Sequence, residues 1–288
     1  MVIRELLKKA EKTLVENGIE DSHIEASVLF AYVLNKSKTY LYTHMDDTVD
    51  DSQIDLFENY VKKRSGHMPV AYIVGRAWFM SLELHVNEST LVPRPETEGL
   101  VEETLSCAAG MPGDPIKLLD WCTGSGCIGI AAAYHNQRVK AILSDINPDS
   151  IEIAEKNINK YHLADRVKTR IGNLYDPVPK KKFDIITANP PYIPSTDIQS
   201  LDSDVRDYEP LSALDGGTDG LDFYRWIISG APDYLSPGGI IVLEAGIGLS
   251  KPICNILTHN NFSNVAIKND IGGIPRIITA SYPKVSLG

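Results

Sequence analysis

Ile116-Lys117-Leu118-Leu119-Asp120-Trp121-Cys122-Thr123-Gly124-Ser125-Gly126-Cys127-Ile128-Gly129-Ile130 runs from a short apolar strand through a glycine turn into a helix that continues over Ala131-Ala132-Ala133. That order opens a nucleotide-binding βαβ unit, with Gly124 and Gly126 letting backbone come close to a ligand. The next apolar run, Lys140-Ala141-Ile142-Leu143-Ser144-Asp145, ends in an acid 19 residues after Gly126, the place for a carboxylate that accepts from two ribose hydroxyls. Asn147 then reads as an N-cap and Pro148 as the first residue of the following helix. The fold class is therefore α/β, a doubly wound sheet. Gly124, Gly126 and Gly129 also satisfy G-x-G-x-x-G, so at this point a dinucleotide-dependent dehydrogenase is as good a reading as any other.

Working outward, Phe183-Asp184-Ile185-Ile186-Thr187-Ala188 is a buried strand followed at once by Asn189-Pro190-Pro191-Tyr192. The prolines cannot extend the strand, so the tetrapeptide sits at its carboxyl end, where open α/β sheets bind ligands. Its plainest reading is a Pro-rich turn. Its chemistry suits an amide substrate, because an amide nitrogen is a poor nucleophile that must be held and relieved of hydrogens. Asn189 offers a side-chain carbonyl, neither proline brings a competing N–H, and Tyr192 offers an aromatic face. A dehydrogenase has no use for this tetrapeptide, and Asp120 before the glycine turn suits a cationic amino-acid ligand better than a pyrophosphate. S-adenosyl-L-methionine has an ammonium, a sulfonium, a ribose and an adenine, so a methyltransferase uses every one of these features.

Four further stretches complete a pattern: Pro93-Arg94-Pro95-Glu96-Thr97-Glu98, Asp204-Val205-Arg206-Asp207-Tyr208-Glu209-Pro210, Ala213-Leu214-Asp215-Gly216-Gly217-Thr218-Asp219-Gly220-Leu221, and Ile271-Gly272-Gly273-Ile274-Pro275-Arg276. Together with Asp120–Gly126 and Asn189–Ile193 they resemble the HemK/PrmC family of N5-glutamine methyltransferases acting on peptide chain release factors. The resemblance runs from about residue 24 to the C-terminal region. It implies a seven-stranded, Rossmann-like sheet with an antiparallel last strand, and S-adenosyl-L-methionine as cofactor. Asp120, Cys122, Thr123, Gly124, Ser125 and Gly126 would line the methionine part, Asp145 the ribose, and Asn173, Leu174 and Asn189 the remainder. Asn189, Pro190, Pro191 and Tyr192 would hold the glutamine amide, with Arg94 and Glu96 bordering its pocket; Asn189, Pro190 and Tyr192 are the catalytic candidates. The chain departs from the family in having Cys122 where glycine is usual, Leu174 as an apolar face within Gly172-Asn173-Leu174-Tyr175, and Ile274-Pro275 before Arg276. A cysteine at the Cys122 position also occurs in the relative that methylates a glutamine of ribosomal protein L3, which makes that protein the alternative substrate.

Composition fits this picture. The 28 Lys and Arg against 38 Asp and Glu, a net charge of −10, carry no footprint for duplex DNA, which disfavours adenine-N6 nucleic-acid methylation by the same tetrapeptide. Four cysteines without a C-x-x-C spacing and histidines without metal-motif spacing predict free thiols and no metal. No apolar run has membrane-helix length, and the first residues read as neither signal nor clear transit peptide, so a cytoplasmic monomer is expected. Residues 1–75 show helical periodicity, with a capping box expected at Ser22-x-x-Glu25, and are read as a substrate-docking domain. Residues 76–95 read as a hairpin linker and 96–288 as the catalytic domain, with the acidic, Gly-rich loop 194–220 placed to be a lid. A binding module that keeps the fold without the reaction is the competing class. Cys122 in the glycine turn favours it, and the intact Asn189-Pro190-Pro191-Tyr192 opposes it.

Overall fold

The computed structural model describes residues 1–174 and 182–283; Tyr175 lies outside them. The chain folds into two compact units, residues 1–76 with 202–208, and residues 77–201 with 209–288.

The first unit is helical: α1 Ile3–Glu16, α2 Ser22–Leu34, α3 Lys38–Thr43, α4 Asp51–Ser65 and α5 Val70–Val74. Leu6, Leu7, Ala10 and Leu14 recur on one face of α1 and bury against Leu29 and Phe30 of α2 and Phe57 of α4. Phe30 stacks on Phe57 with ring centroids 4.3 Å apart. The expected capping box does not form. Ser22 is already the first residue of α2, Asp21 is its N-cap, and Glu25 turns away to accept from Arg64 Nε at 2.6 Å and Nη2 at 3.1 Å. A bidentate, largely buried charge pair outweighs the capping box. The same contact separates Arg64, buried, from its exposed neighbours Lys62 and Lys63. Residues 202–208, which include the short helix α9 Ser203–Arg206, belong to this unit, and Tyr208 donates its hydroxyl to the Gly66 carbonyl at 2.5 Å.

The second unit begins with a hairpin, β1 Arg76–Phe79 and β2 Leu82–His85. Phe79, Leu82 and Leu84 are buried in the unit's own core, so the segment expected as a linker is part of it. Then follow α6 Pro95–Gly110, β3 Ile116–Trp121, α7 Cys127–His135, β4 Val139–Asp145, α8 Pro148–Lys160, β5 Val167–Ile171, β6 Phe183–Ala188, α10 Asp222–Tyr234, β7 Leu235–Glu244, α11 Ser250–His259, β8 Ser263–Asn269 and β9 Pro275–Ser281. Seven strands form one sheet in the order β5-β4-β3-β6-β7-β9-β8. β9 runs antiparallel to β7 and β8, and the other pairings are parallel. Strand residues alternate between two faces. Leu118, Ile185 and Val242 pack with α6, α7 and α8, whereas Leu119, Ile186 and Ile241 pack with α10 and α11. The result is the three-layer, seven-stranded Rossmann-like class expected from the sequence. Chain order reverses between β3 and β6, and that switch point opens a crevice at the strands' carboxyl ends. Among the described residues no helix is long and apolar enough to cross a membrane.

Candidate functional site

The crevice holds a cavity of about 290 Å³. On one side it is walled by the loop after β3, and Cys122, Thr123, Gly124 and Ser125 all reach it, as do Asp145 at the end of β4 and Asn173 and Leu174 after β5. On the other side stand Asn189 and Pro191 after β6, with Arg94. Ten of the residues singled out in the sequence therefore meet in one place. Asp120, Gly126, Pro190, Tyr192 and Glu96 do not form its wall.

The first four have different reasons. Asp120 is wholly buried behind the loop: Oδ2 accepts from Thr123 Oγ1 at 2.6 Å and from the Gly129 N–H at 3.1 Å, and Oδ1 from Thr187 Oγ1 at 3.0 Å. Burial pushes its carboxyl up to about 6 even though all three hydrogen bonds pull the other way. Its carboxylate thus ties the loop to the start of α7 and to β6. Gly126 caps α7 with φ +82°, a left-handed conformation that favours glycine, and a Cβ there would crowd Ile130, Ala154 and Leu143 at 2.7–3.2 Å. Pro190 is buried, and Tyr192 lies beneath the loop that follows it. A Cβ on Gly216 would come within 2.6 Å of Tyr192 Cα, one on Gly220 within 2.4 Å of the Tyr192 carbonyl, and one on Gly246 within 2.8 Å of the ring. Three glycines thus let backbone close over one tyrosine, fastened by a bridge between Ile193 and Asp215. Burial raises the Tyr192 hydroxyl above its ordinary range, leaving it protonated.

The loop after β3 is held in an unusual conformation. Cys122 has φ +57°, the left-handed region, which explains why glycine is the easier residue there. Gly124 donates its N–H to Asp145 Oδ2 at 2.8 Å, and Asn147 donates its own to Asp145 Oδ1 at 3.0 Å, so two backbone donors aim the carboxylate. Burial raises the Asp145 carboxyl, and both donors counter it. Asn147 caps α8 by accepting from the Asp149 N–H at 3.0 Å, with Pro148 as first helical residue, as its sequence indicated. From within α8 the buried Asn157 donates to the Ser125 carbonyl at 2.9 Å and to the His85 carbonyl at 3.0 Å, pinning the glycine loop to the hairpin.

Around Asn189 the structure adds groups that sequence reasoning missed. Asn189 Nδ2 donates to Thr97 Oγ1 at 3.2 Å, Thr97 being buried in the first turn of α6. Arg94, the N-cap of that helix, donates from Nη2 to Glu209 Oε1 at 2.7 Å. Phe223 and Trp226 of α10 form an edge-to-face pair with centroids 5.2 Å apart and line the cavity, as does the buried Ser144, whose Oγ has no hydrogen-bond partner. Glu244 ends β7 with 2% of its surface exposed. An acid closing an apolar strand had pointed to Asp120 and Asp145, and the same signal stands in Ile240-Ile241-Val242-Leu243-Glu244.

The chain matches the PrmC N-terminal domain over residues 5–75 and the methyltransferase small domain over residues 107–201. It is 38% identical to a release factor glutamine methyltransferase of Clostridium acetobutylicum, the alignment covering 97% of this chain and 98% of that one. A second, from Geobacter sulfurreducens, is 35% identical over 96% of this chain and 95% of its own length. A solved methyltransferase from Pyrococcus furiosus shares the fold at 18% identity, with a TM-score of 0.53 and coverage of 78% of this chain and 98% of that one.

Proposed function

Since the chain belongs to the release factor glutamine methyltransferase family and is an enzyme, we propose that it methylates the N5 side-chain amide of the glutamine in a release factor's Gly-Gly-Gln motif, in the cytoplasm. The observation that carries this reading is Asn189 at the switch-point cavity, its Nδ2 held by Thr97 so that Oδ1 is free to accept an amide hydrogen.

The cavity suits S-adenosyl-L-methionine as methyl donor. Gly124 has open space where a side chain would stand, Ser144 has an unpaired hydroxyl in the wall, and Asp145 is aimed by two backbone donors. When bound there, the cofactor supplies an electrophilic methyl group. Thr123, Gly124 and Ser125 would hold its amino-acid part with Asp120 stiffening the loop, Asp145 would hold the ribose, and Asn173, Leu174 and Phe223 would cover the base.

The protein's part is then placement. Asn189 Oδ1, with the carbonyl of Pro190, accepts the two amide hydrogens and directs the nitrogen at the methyl. Pro191 packs beside the glutamine stem, with Tyr192 supporting that segment from beneath the loop. Arg94, tied to Glu209, borders the entrance. Holding two reactants in line can lower a bimolecular barrier by roughly 7–11 kcal/mol. No strong base is needed, because the methylated nitrogen is acidic and sheds its proton readily. Residues 1–75 are assigned to docking the release factor, whose folded body needs more surface than a pocket provides. Incubating the protein with labelled S-adenosyl-L-methionine and a release factor should add one methyl, 14 Da, to that glutamine. Mass spectrometry finding the methyl on ribosomal protein L3 or on adenine instead would overturn the assignment.

A further inference from the structure

An amide substrate must find acceptors in the pocket, so the end of the Asn189 carboxamide that faces the cavity decides what fits. This point rests on the function proposed above. The two ends of a carboxamide have nearly the same shape, and a neighbouring hydroxyl can either donate to one or accept from the other. Thr97 alone would leave Asn189 free to turn over.

Glu244 removes that freedom. Ala188 pairs with Leu243, which sets Glu244 on β7 level with Asn189 after β6. Its Oε2 is enclosed with no hydrogen-bond partner, although a buried carboxylate oxygen is costly to leave so. The neighbouring donors are engaged elsewhere: Tyr224 donates to the backbone carbonyl of Glu244 at 2.7 Å, and Arg276 binds Asp270 at 3.3 Å and the Ala245 carbonyl at 3.2 Å. Thr97 and Asn189 stand within reach of the carboxyl. An ionised carboxylate can only accept. It draws the Thr97 proton and leaves Thr97 Oγ1 as an acceptor, which Asn189 meets with Nδ2, so Oδ1 turns to the cavity.

We propose that Glu244 is a positioning residue that, together with Thr97, sets the Asn189 carboxamide to accept from the substrate, and thereby selects an amide side chain over a carboxylate. A glutamate in the same place would bring only acceptors against Oδ1.

The arrangement is sensitive to pH. Burial pushes the Glu244 carboxyl up to about 7; Thr97, Arg276 of β9 and Asn189 oppose the shift, and Glu96 of α6 adds to it. Tyr192, Tyr224 of α10 and Cys127 of α7 also face the carboxyl, and all three are held neutral by burial. Once protonated, Glu244 donates to Thr97, Thr97 donates to Asn189, and the carboxamide presents its NH₂ to the cavity. Turnover therefore rises with pH through about 7.

The test uses the full chain, a Gly-Gly-Gln peptide and S-adenosyl-L-methionine. Glu244→Leu should lower kcat at least tenfold, with the cofactor Kd from calorimetry within twofold of wild type. Glu244→Gln, which preserves the shape, should lose the acid limb of the kcat/KM profile near pH 7. Thr97→Val should lower kcat severalfold and Thr97→Ser restore it, and the Glu244→Leu/Thr97→Val pair should be no worse than Glu244→Leu alone. The proposal is overturned by an unchanged acid limb in Glu244→Gln, by losses that multiply in the double variant, or by a cofactor Kd that rises in step with the fall in kcat. In each of these cases wild type still methylates the peptide; a wild type that does not overturns the functional reading together with the proposal.

Discussion

Asp120 and Glu244 lie at the carboxyl ends of β3 and β7, on either side of β6, and both are sealed from solvent. Around Asp120 three donors converge, whereas one oxygen of Glu244 has none. Place at a strand end, acid chemistry and burial are alike, so none of them distinguishes a carboxylate that holds the architecture from one with capacity left for function. The count of hydrogen-bond donors does. Fully paired, Asp120 locks the loop after β3 into a shape ready for a ligand. Under-paired, Glu244 leaves the other side of the crevice able to change state.

This contrast is best broken by exchanging each carboxylate for its amide. Asp120→Asn places an NH₂ among three donors and should cost roughly 3–5 kcal/mol, because each buried group left unpaired costs about 1–3 kcal/mol. Glu244→Gln at acid pH, where the carboxyl it replaces is protonated, should cost about 1 kcal/mol or less, having no donor to lose at Oε2. Thermal unfolding measures both, and equal losses would erase the distinction.

The next effect lies in pH. An acid whose folded pKa is raised from 4.5 to about 7 binds its proton more tightly when folded, so stability increases as pH falls from about 7 towards 4.5. Over that window Glu244 should contribute on the order of 3 kcal/mol that Glu244→Gln lacks. Melting curves of the two proteins should therefore converge at acid pH and separate above 7, with Glu244→Gln the relatively more stable there. Parallel curves would mean that Glu244 titrates normally.

Asn189→Ala removes the group that Glu244 is held to orient, while leaving β6 and both prolines in place. Turnover should fall roughly tenfold to a hundredfold, or about 1.4–2.8 kcal/mol, with folding unaltered. A variant with near-normal turnover would make Asn189 a turn residue and remove any purpose for the Glu244 contact. The smallest effect belongs to the Asp120 side. Cys122→Gly relieves a left-handed cysteine at φ +57° and should add about 1 kcal/mol, read as a slightly higher Tm. Unchanged or lower stability would show that the thiol's packing outweighs the strain.

The sheet was legible from sequence because its signals are local: apolar runs of strand length, glycine turns, and Asn147-Pro148 at a helix start all sit within a few residues of what they specify. The glycine loop after β3 was legible for the same reason. What escaped comes from tertiary meetings. Thr97 lies 92 residues from Asn189 in the chain and resembles any threonine in a first helical turn. Asp120 was readable as facing a ligand until Thr123, Gly129 and Thr187 were seen to enclose it. The Ser22-x-x-Glu25 cap failed because Arg64, 39 residues away, holds Glu25. Glu244 alone was within reach, at the end of an apolar strand like Asp145.

The three glycines closed over Tyr192 bear on how the protein would answer a random mutagenesis screen. At 216, 220 and 246 any side chain strikes the tyrosine's backbone or ring, so a substitution there shifts the segment that carries Asn189. Scored on product alone, these positions would rank beside the residues that touch substrate, although they have no functional group to offer. A screen that also reads cofactor binding and folded yield would sort them correctly, as places where mutational tolerance is set by how closely the backbone closes over Tyr192.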